Sequence, residues 1–321
     1  MLEYRMRFVA LAGVVVLSSL PTVTADTWHL ERGRDWKAVS AEGQGKFLLA
    51  VAETKKLVNT GQTGAARKAF EALKKEFPEI AGPDLDAFIK AEMFYCKGRL
   101  SKAVRSYDKL LTEYPESDLR EAALDRQFAI AKAFLAGQKR NVLGIFKIKG
   151  FAEGLRIMEK ITDRVGLDTP LGIKAAIAAA ESYEGTDAFN EAYLKWWEIS
   201  LQWEAGPTGR DALLGMARCK RAVYNSHAEH KRPLYDASNL RTAKTCYERF
   251  KLLYPADAEE IGVGQILEEI DEQLAYKQLS VGQYYETIGN RQSANLYYDM
   301  VVNDWPDSQA AEIAREMRSK N

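Results

Sequence analysis

The chain has 321 residues with Lys+Arg 45 against Asp+Glu 45, a formal net charge of zero. That balance argues against a nucleic-acid binder, which shows a basic excess or stripe. A hydrophobic content of 46% argues against a chain dominated by disorder. The length suits two ordinary domains or one long repeat array.

The first predicted element is an export signal. Arg5 and Arg7 precede an apolar run from Phe8 to Leu20, Pro21 breaks the run, and Val23 and Ala25 put small residues at the −3 and −1 positions. This is the layout of a cleaved secretory signal over residues 1–25, followed by a flexible segment over 26–44. The run is too short to span a bilayer comfortably as a helix. An uncleaved anchor or a buried first helix are the alternatives. No cysteine lies near the cleavage point. Cleavage would leave a periplasmic protein of near-neutral charge. Cys96, Cys219 and Cys246 form no CxxC. They read as small buried apolar residues, with a Cys219–Cys246 disulfide as the alternative.

From residue 45 onward the chain repeats itself. Ala, an aromatic four residues later, and an aromatic-Pro pair ending twelve residues after the Ala recur at Ala66, Phe70, Phe77-Pro78 and at Ala103, Tyr107, Tyr114-Pro115. They recur again at Ala243, Tyr247, Tyr254-Pro255 and at Ala294, Tyr298, Trp305-Pro306. Gly154, Met158, Val165-Gly166 and Ala192, Trp196, Trp203-Glu204 are degenerate copies in the same slots. A small residue and an aromatic at i, i+4 share one helix face: the first admits a neighbouring helix and the second fills the space beside it. Pro stops the helix and pushes the residue before it toward extended backbone. Ala91 with Phe94, Ala180 with Tyr183, and Gly282 with Tyr285 occupy matching slots on a preceding helix, and Thr54 with Leu57 do so more weakly. Small residue, aromatic, turn, Ala, aromatic, Pro is the tetratricopeptide layout of two antiparallel helices per unit. The predicted fold is an all-α tetratricopeptide-repeat solenoid of about six helix pairs over residues 45–321.

The units are spaced wider than a standard repeat, so extra length must be placed. Residues 137–150 read as a loop between units two and three, and Tyr224 to Asn239 as a polar insertion between units four and five. In the last unit Ala258 to Ile288 contains no Pro and reads as one helix of about 30 residues.

The last two units carry a more specific resemblance. Leu274-Ala275-Tyr276, the Tyr284-Tyr285 pair, Ser293-Ala294-Asn295-Leu296-Tyr297-Tyr298 and the exit Trp305-Pro306-Asp307-Ser308 resemble the C-terminal part of the BamD (YfiO/ComL) family, the tetratricopeptide component of outer-membrane β-barrel assembly. The resemblance implies a periplasmic scaffold at the outer membrane whose partners are a barrel insertase and unfolded outer-membrane proteins. The alternative is another periplasmic adaptor serving division, peptidoglycan or polysaccharide export.

Signatures of catalysis are missing: there is no Gly-Lys-Ser/Thr phosphate loop, no GxSxG and no HExxH. A glycan-processing solenoid would need paired carboxylates in a cleft, and no candidate pair stands out. The chain therefore reads as non-enzymatic, with no cofactor and no nucleic-acid partner. His227 and His230 lack the further ligands a structural metal site needs. Trp196 and Trp203 fall on packing slots, whereas Trp197 does not. Residues 137–150 mix apolar and basic side chains. They either touch a partner or a membrane surface, or fold back over an exposed repeat edge. Solenoid geometry offers a groove lined by the first helices of the units. By repeat position the partner-contacting candidates are Lys55, Glu92, Lys174, Glu181, Gln283 and Glu286, with Tyr276 as an aromatic contact.

Overall fold

The structure, a computed structural model, describes residues 27–30, 36–39, 41–142 and 146–320. The expected signal, residues 1–25, lies outside the described residues. The chain divides into two compact bodies, one ending at Ala81 and one beginning at Gly82.

In the first body, within the segment expected to be flexible, β1 (Thr27–Leu30) and β2 (Trp36–Val39) pair antiparallel with Thr27 opposite Val39. Helices α1 (Ala41–Asn59) and α2 (Thr63–Glu76) then form the first pair. Val58, Ala66, Phe70 and Leu73 make its core, and Phe47 meets Phe77 edge-on at 5.1 Å. Thr54 is buried in the small-residue slot because its hydroxyl donates to the Ala50 carbonyl at 2.8 Å. A Thr there costs no unpaired polar atom.

The second body holds five more pairs. They are α3 (Pro83–Cys96) with α4 (Leu100–Glu113), and α5 (Arg120–Leu135) with α6 (Phe151–Val165). Next come α7 (Pro170–Glu184) with α8 (Phe189–Gln202), and α9 (Gly206–Asn225) with α10 (Ser238–Leu253). After the short α11 (Pro255–Ile261), α12 (Val263–Thr287) pairs with α13 (Arg291–Asp304), and α14 (Gln309–Lys320) packs on both.

The slots behave as their chemistry requires. Ala91, Ala103, Ala180, Ala192, Ala243 and Ala294 are fully buried, as are Tyr107, Met158 and Tyr298. At Gly282 even a methyl group would stand 2.5 Å from the Tyr298 ring, so this slot admits nothing larger than hydrogen. Phe77, Tyr114, Trp203, Tyr254 and Trp305 end their helices in one backbone conformation, φ −123 to −136° and ψ 60 to 84°. Four of them precede Pro, which bars the helical region. Trp203 precedes Glu204 and adopts the same geometry, and its indole N–H donates to the Leu167 carbonyl at 3.0 Å.

Three expectations are corrected. Both insertions lie inside a unit, joining α5 to α6 and α9 to α10, rather than between units. Residues 137–150 are not a loop: β3 (Lys139–Val142) and β4 (Phe146–Lys149) form a hairpin with Val142 opposite Phe146. The alternation Phe146, Lys147, Ile148, Lys149 is a strand period. The side chains of residues 140–148, which include most of those expected to touch a partner or membrane, lie outside the described residues. Finally, the long helix of the last unit breaks at Gly262, whose φ of +75° and ψ of 36° end α11 and start α12. No helix among the described residues is long and apolar enough to cross a membrane.

Candidate protein-binding face

The first helices of successive units are tied to one another by carboxylate–guanidinium pairs. Glu92 on α3 is 2% exposed. It accepts from Arg126 of α5 at both oxygens, Nε to Oε1 at 2.7 Å and Nη2 to Oε2 at 2.8 Å. The Tyr107 hydroxyl of α4 donates to the same carboxylate. Arg126 also stands 4.6 Å from the centroid of the Tyr95 ring. Burial opposes the Arg126 charge, but the Glu92 carboxylate outweighs it and raises the guanidinium pKa further. Burial, reinforced by Glu92, keeps the Tyr107 hydroxyl protonated far above the ordinary tyrosine range.

The device recurs two units later. Glu184 on α7 accepts from Arg218 of α9, at 3.1 Å from Nη2 and 3.3 Å from Nε, and from the indole N–H of Trp196 on α8. In each case the Arg lies 34 residues beyond its Glu, one repeat length along the chain. One carboxylate thus joins the second helix of its own unit to the first helix of the next. The spacing of the first helices is thereby held by hydrogen bonds as well as by packing. Between α9 and α12 Arg221 pairs with Glu269, a more exposed contact.

The predicted contact residues divide on this framework. Lys174 and Glu181 are exposed on α7 at i, i+7 and so share a face; Gln283 is exposed on α12. Tyr276 is half-buried against the Ala275 and Leu279 cluster. Lys55 is exposed on α1, in the first body. Two assignments are corrected. Glu92 is sealed between α4 and α5 and presents nothing to a partner. Glu286 accepts from the Tyr298 hydroxyl at 2.6 Å, which makes it an internal strut between α12 and α13.

Sequence reading missed Arg126 and Arg218, although Glu-to-Arg offsets of one repeat length would have flagged both. It also missed the seam between α9 and α12. There the Asn225 Oδ1 and the Gln273 Oε1 are buried without a hydrogen-bond partner among the described residues. Asn225 and Gln273 stand four residues beyond Arg221 and Glu269 on the two tied helices.

The other singled-out residues fall as follows. Cys96, Cys219 and Cys246 are buried, and no Cys219–Cys246 disulfide forms. Burial, with the Glu184 charge behind it, pushes the Cys219 thiol up to about 12. His227 stacks flat on Tyr235 at 3.6 Å. In that insertion Arg232 donates to the Asn225 and His227 carbonyls, and Lys277 and Ser280 of α12 donate to the Pro233 carbonyl. Trp196 is buried and Trp203 half-buried, whereas Trp197 is exposed.

Residues 87–117 match the tetratricopeptide-repeat family model, the span of α3 and α4 that carries Ala91, Ala103, Tyr107 and Tyr114-Pro115. The chain is an all-α tetratricopeptide-repeat solenoid, with short hairpins as additions. It is similar to the C-terminal part of a repeat-containing protein from Cytophaga hutchinsonii at 15% identity, covering 85% of this chain and 93% of that one, with a TM-score of 0.38. It is similar to a tetratricopeptide-repeat protein from Parabacteroides merdae at 12% identity, covering 84% and 97%, with a TM-score of 0.34. It is also similar to PilW, a type IV pilus biogenesis factor, at 16% identity, covering 86% and 99%, with a TM-score of 0.29. No curated protein matches the chain.

Proposed function

We propose that the protein is a non-enzymatic periplasmic scaffold that binds other proteins along its first helices, as a BamD-like component of outer-membrane β-barrel assembly. The observation that carries the scaffold reading is the division of labour on those helices. Glu92 and Glu184 are spent on holding neighbouring helices in register, while Lys174, Glu181 and Gln283 remain exposed on the same set of helices. A face of fixed spacing with free polar side chains suits recognition of an extended or helical segment, because little ordering entropy is lost on binding. The periplasmic location rests on the signal-like residues 1–25, and the assembly role on the resemblance of residues 274–308. Co-purification from envelope extracts in mild detergent should recover a barrel insertase. Recovery of none, with the protein intact, would contradict the assembly role.

A second reading is a periplasmic adaptor for a different envelope complex. It is favoured by the lack of a cysteine near the expected cleavage point at Ala25, where a lipoprotein of the BamD-like kind would carry its lipid. Under that reading the same experiment recovers only non-barrel partners from the periplasmic fraction.

A further inference from the structure

The last joint between first helices is bridged by the chain itself. Helix α9 stops at Asn225, whereas α12, tied to it by the Arg221–Glu269 pair, runs on to Thr287. Glu269, Gln273, Lys277, Ser280 and Tyr284 follow one another at spacings of three and four residues and share one stripe of α12. Past the end of α9 that stripe meets residues 226–237, a strap that leads to α10. Within it Glu229–Leu234 form a 3-10 helix packed on α12. The Pro233 carbonyl accepts from Lys277 Nζ at 2.8 Å, and the Ser280 hydroxyl lies 3.2 Å from the same oxygen. Arg232 braces the strap from within, donating to the Asn225 and His227 carbonyls at 3.0 Å each. The Tyr224 hydroxyl donates in turn to the Arg232 carbonyl at 3.0 Å. A connection inside one unit is thereby fastened to the first helix of the next.

The fastening runs through the main chain and is slight. No residue of Glu229–Leu234 is buried, and Leu234 is 75% exposed. A segment with so little buried apolar surface opens at a small fraction of the cost of global unfolding. The seat beneath it also has a need that the strap does not meet. The Asn225 Oδ1 and the Gln273 Oε1 are buried without a partner among the described residues, so an incoming donor gains there. Pro233 has no N–H to give. The Lys277 donor and the two bare acceptors together match the C=O and N–H groups of an extended polypeptide backbone. We infer that the strap is a built-in competitor. It occupies in cis the place where the α9–α12 seam takes an extended segment of a partner's main chain, and such a segment displaces it. A residue other than Pro at the position of Pro233 supplies the amide that the strap lacks. An anionic ligand fits less well, because the two bare atoms are acceptors and Glu269 lies on the same stripe. The inference rests on the reading of the first helices as the partner-binding face and adds how that face is gated.

The test uses the full chain and a fluorescent synthetic peptide of residues 226–237, read by anisotropy. Replacing residues 228–235 with a Gly-Ser linker of equal length should empty the seat and let the peptide bind in trans. The wild-type chain, whose seat is filled, should bind it about tenfold or more weakly. Lys277→Met in the linker variant should weaken binding about tenfold, whereas Lys109→Met on α4 should leave it unchanged. A peptide carrying Pro233→Ala should bind about threefold or more tightly than its parent, because its amide reaches the bare acceptors. Arg232→Ala removes only the strap's brace and keeps the test standing where the linker variant does not fold. It should bind the peptide better than wild type, and trypsin should cut it faster after Lys231, with far-UV circular dichroism unchanged. Equal affinity of wild type and Arg232→Ala, indifference to Lys277→Met, or equal or weaker binding of the Pro233→Ala peptide would overturn the inference. Failure to recover a barrel insertase would contradict the assembly role and leave these affinities as they are.

Discussion

Two seams of the solenoid solve the same problem differently. Between α3 and α5 the pair is buried, with side-chain exposures of 3% for Glu92 and 12% for Arg126. It is completed by the Tyr107 hydroxyl and the Tyr95 ring. Between α9 and α12 the Arg221–Glu269 pair leaves Glu269 60% exposed, and the Asn225 and Gln273 side-chain oxygens beside it are buried without partners among the described residues. A buried ion pair is costly to form and costlier to break, because removing one member strands the other in low dielectric. An exposed pair contributes little because solvent screens it. Breaking the first pair is therefore expected to cost more than breaking the second.

The sharpest way to break this contrast is Glu92→Ala or Arg126→Ala. Each should cost about 3–5 kcal/mol of unfolding free energy in urea, because either leaves a buried charge unpaired. Next comes Gly282→Val, where the new side chain meets the Tyr298 ring. Overpacking of this kind costs about 1–3 kcal/mol, read as a lower thermal midpoint. Arg221→Ala at the second, more exposed pair should cost less than about 1 kcal/mol, and raised salt should shrink even that difference. The smallest effect is alkaline. Tyr107 holds its proton more tightly folded than unfolded, mainly through burial. Its contribution is therefore complete below the ordinary tyrosine value of 10.0 and is lost as the pH rises beyond it. Tyr107→Phe should flatten the decline of stability above that pH in a denaturation series.

The repeat was legible because it is written in local chemistry. A residue such as Ala103 must be small, Tyr107 must fill the space beside it, and Pro115 must end the helix, all within one turn-and-stop pattern. The insertions were visible as extra length but misplaced, since the slots of the first helix lose their fixed offset when residues intervene before the second. Gly262 escaped because a glycine inside an apolar periodicity looks like any tolerated helical glycine until its φ is known. The candidate face was half legible. Repeat position located Lys174, Glu181 and Gln283 on open helix faces. Position alone could not separate them from Glu92 and Glu286, which occupy similar slots but meet a tyrosine from the next helix. That difference depends on the donors opposite each carboxylate, and those come from chain segments at least twelve residues away.

The central claim is that partners are read along the first helices, and site-specific photocrosslinking in cells tests it most directly. A photoreactive residue at Lys174, Glu181 or Gln283 should give discrete protein adducts, whereas one at Lys109 on α4 should give none. Absence of adducts at all three first-helix positions, or equal labelling at Lys109, would contradict the account.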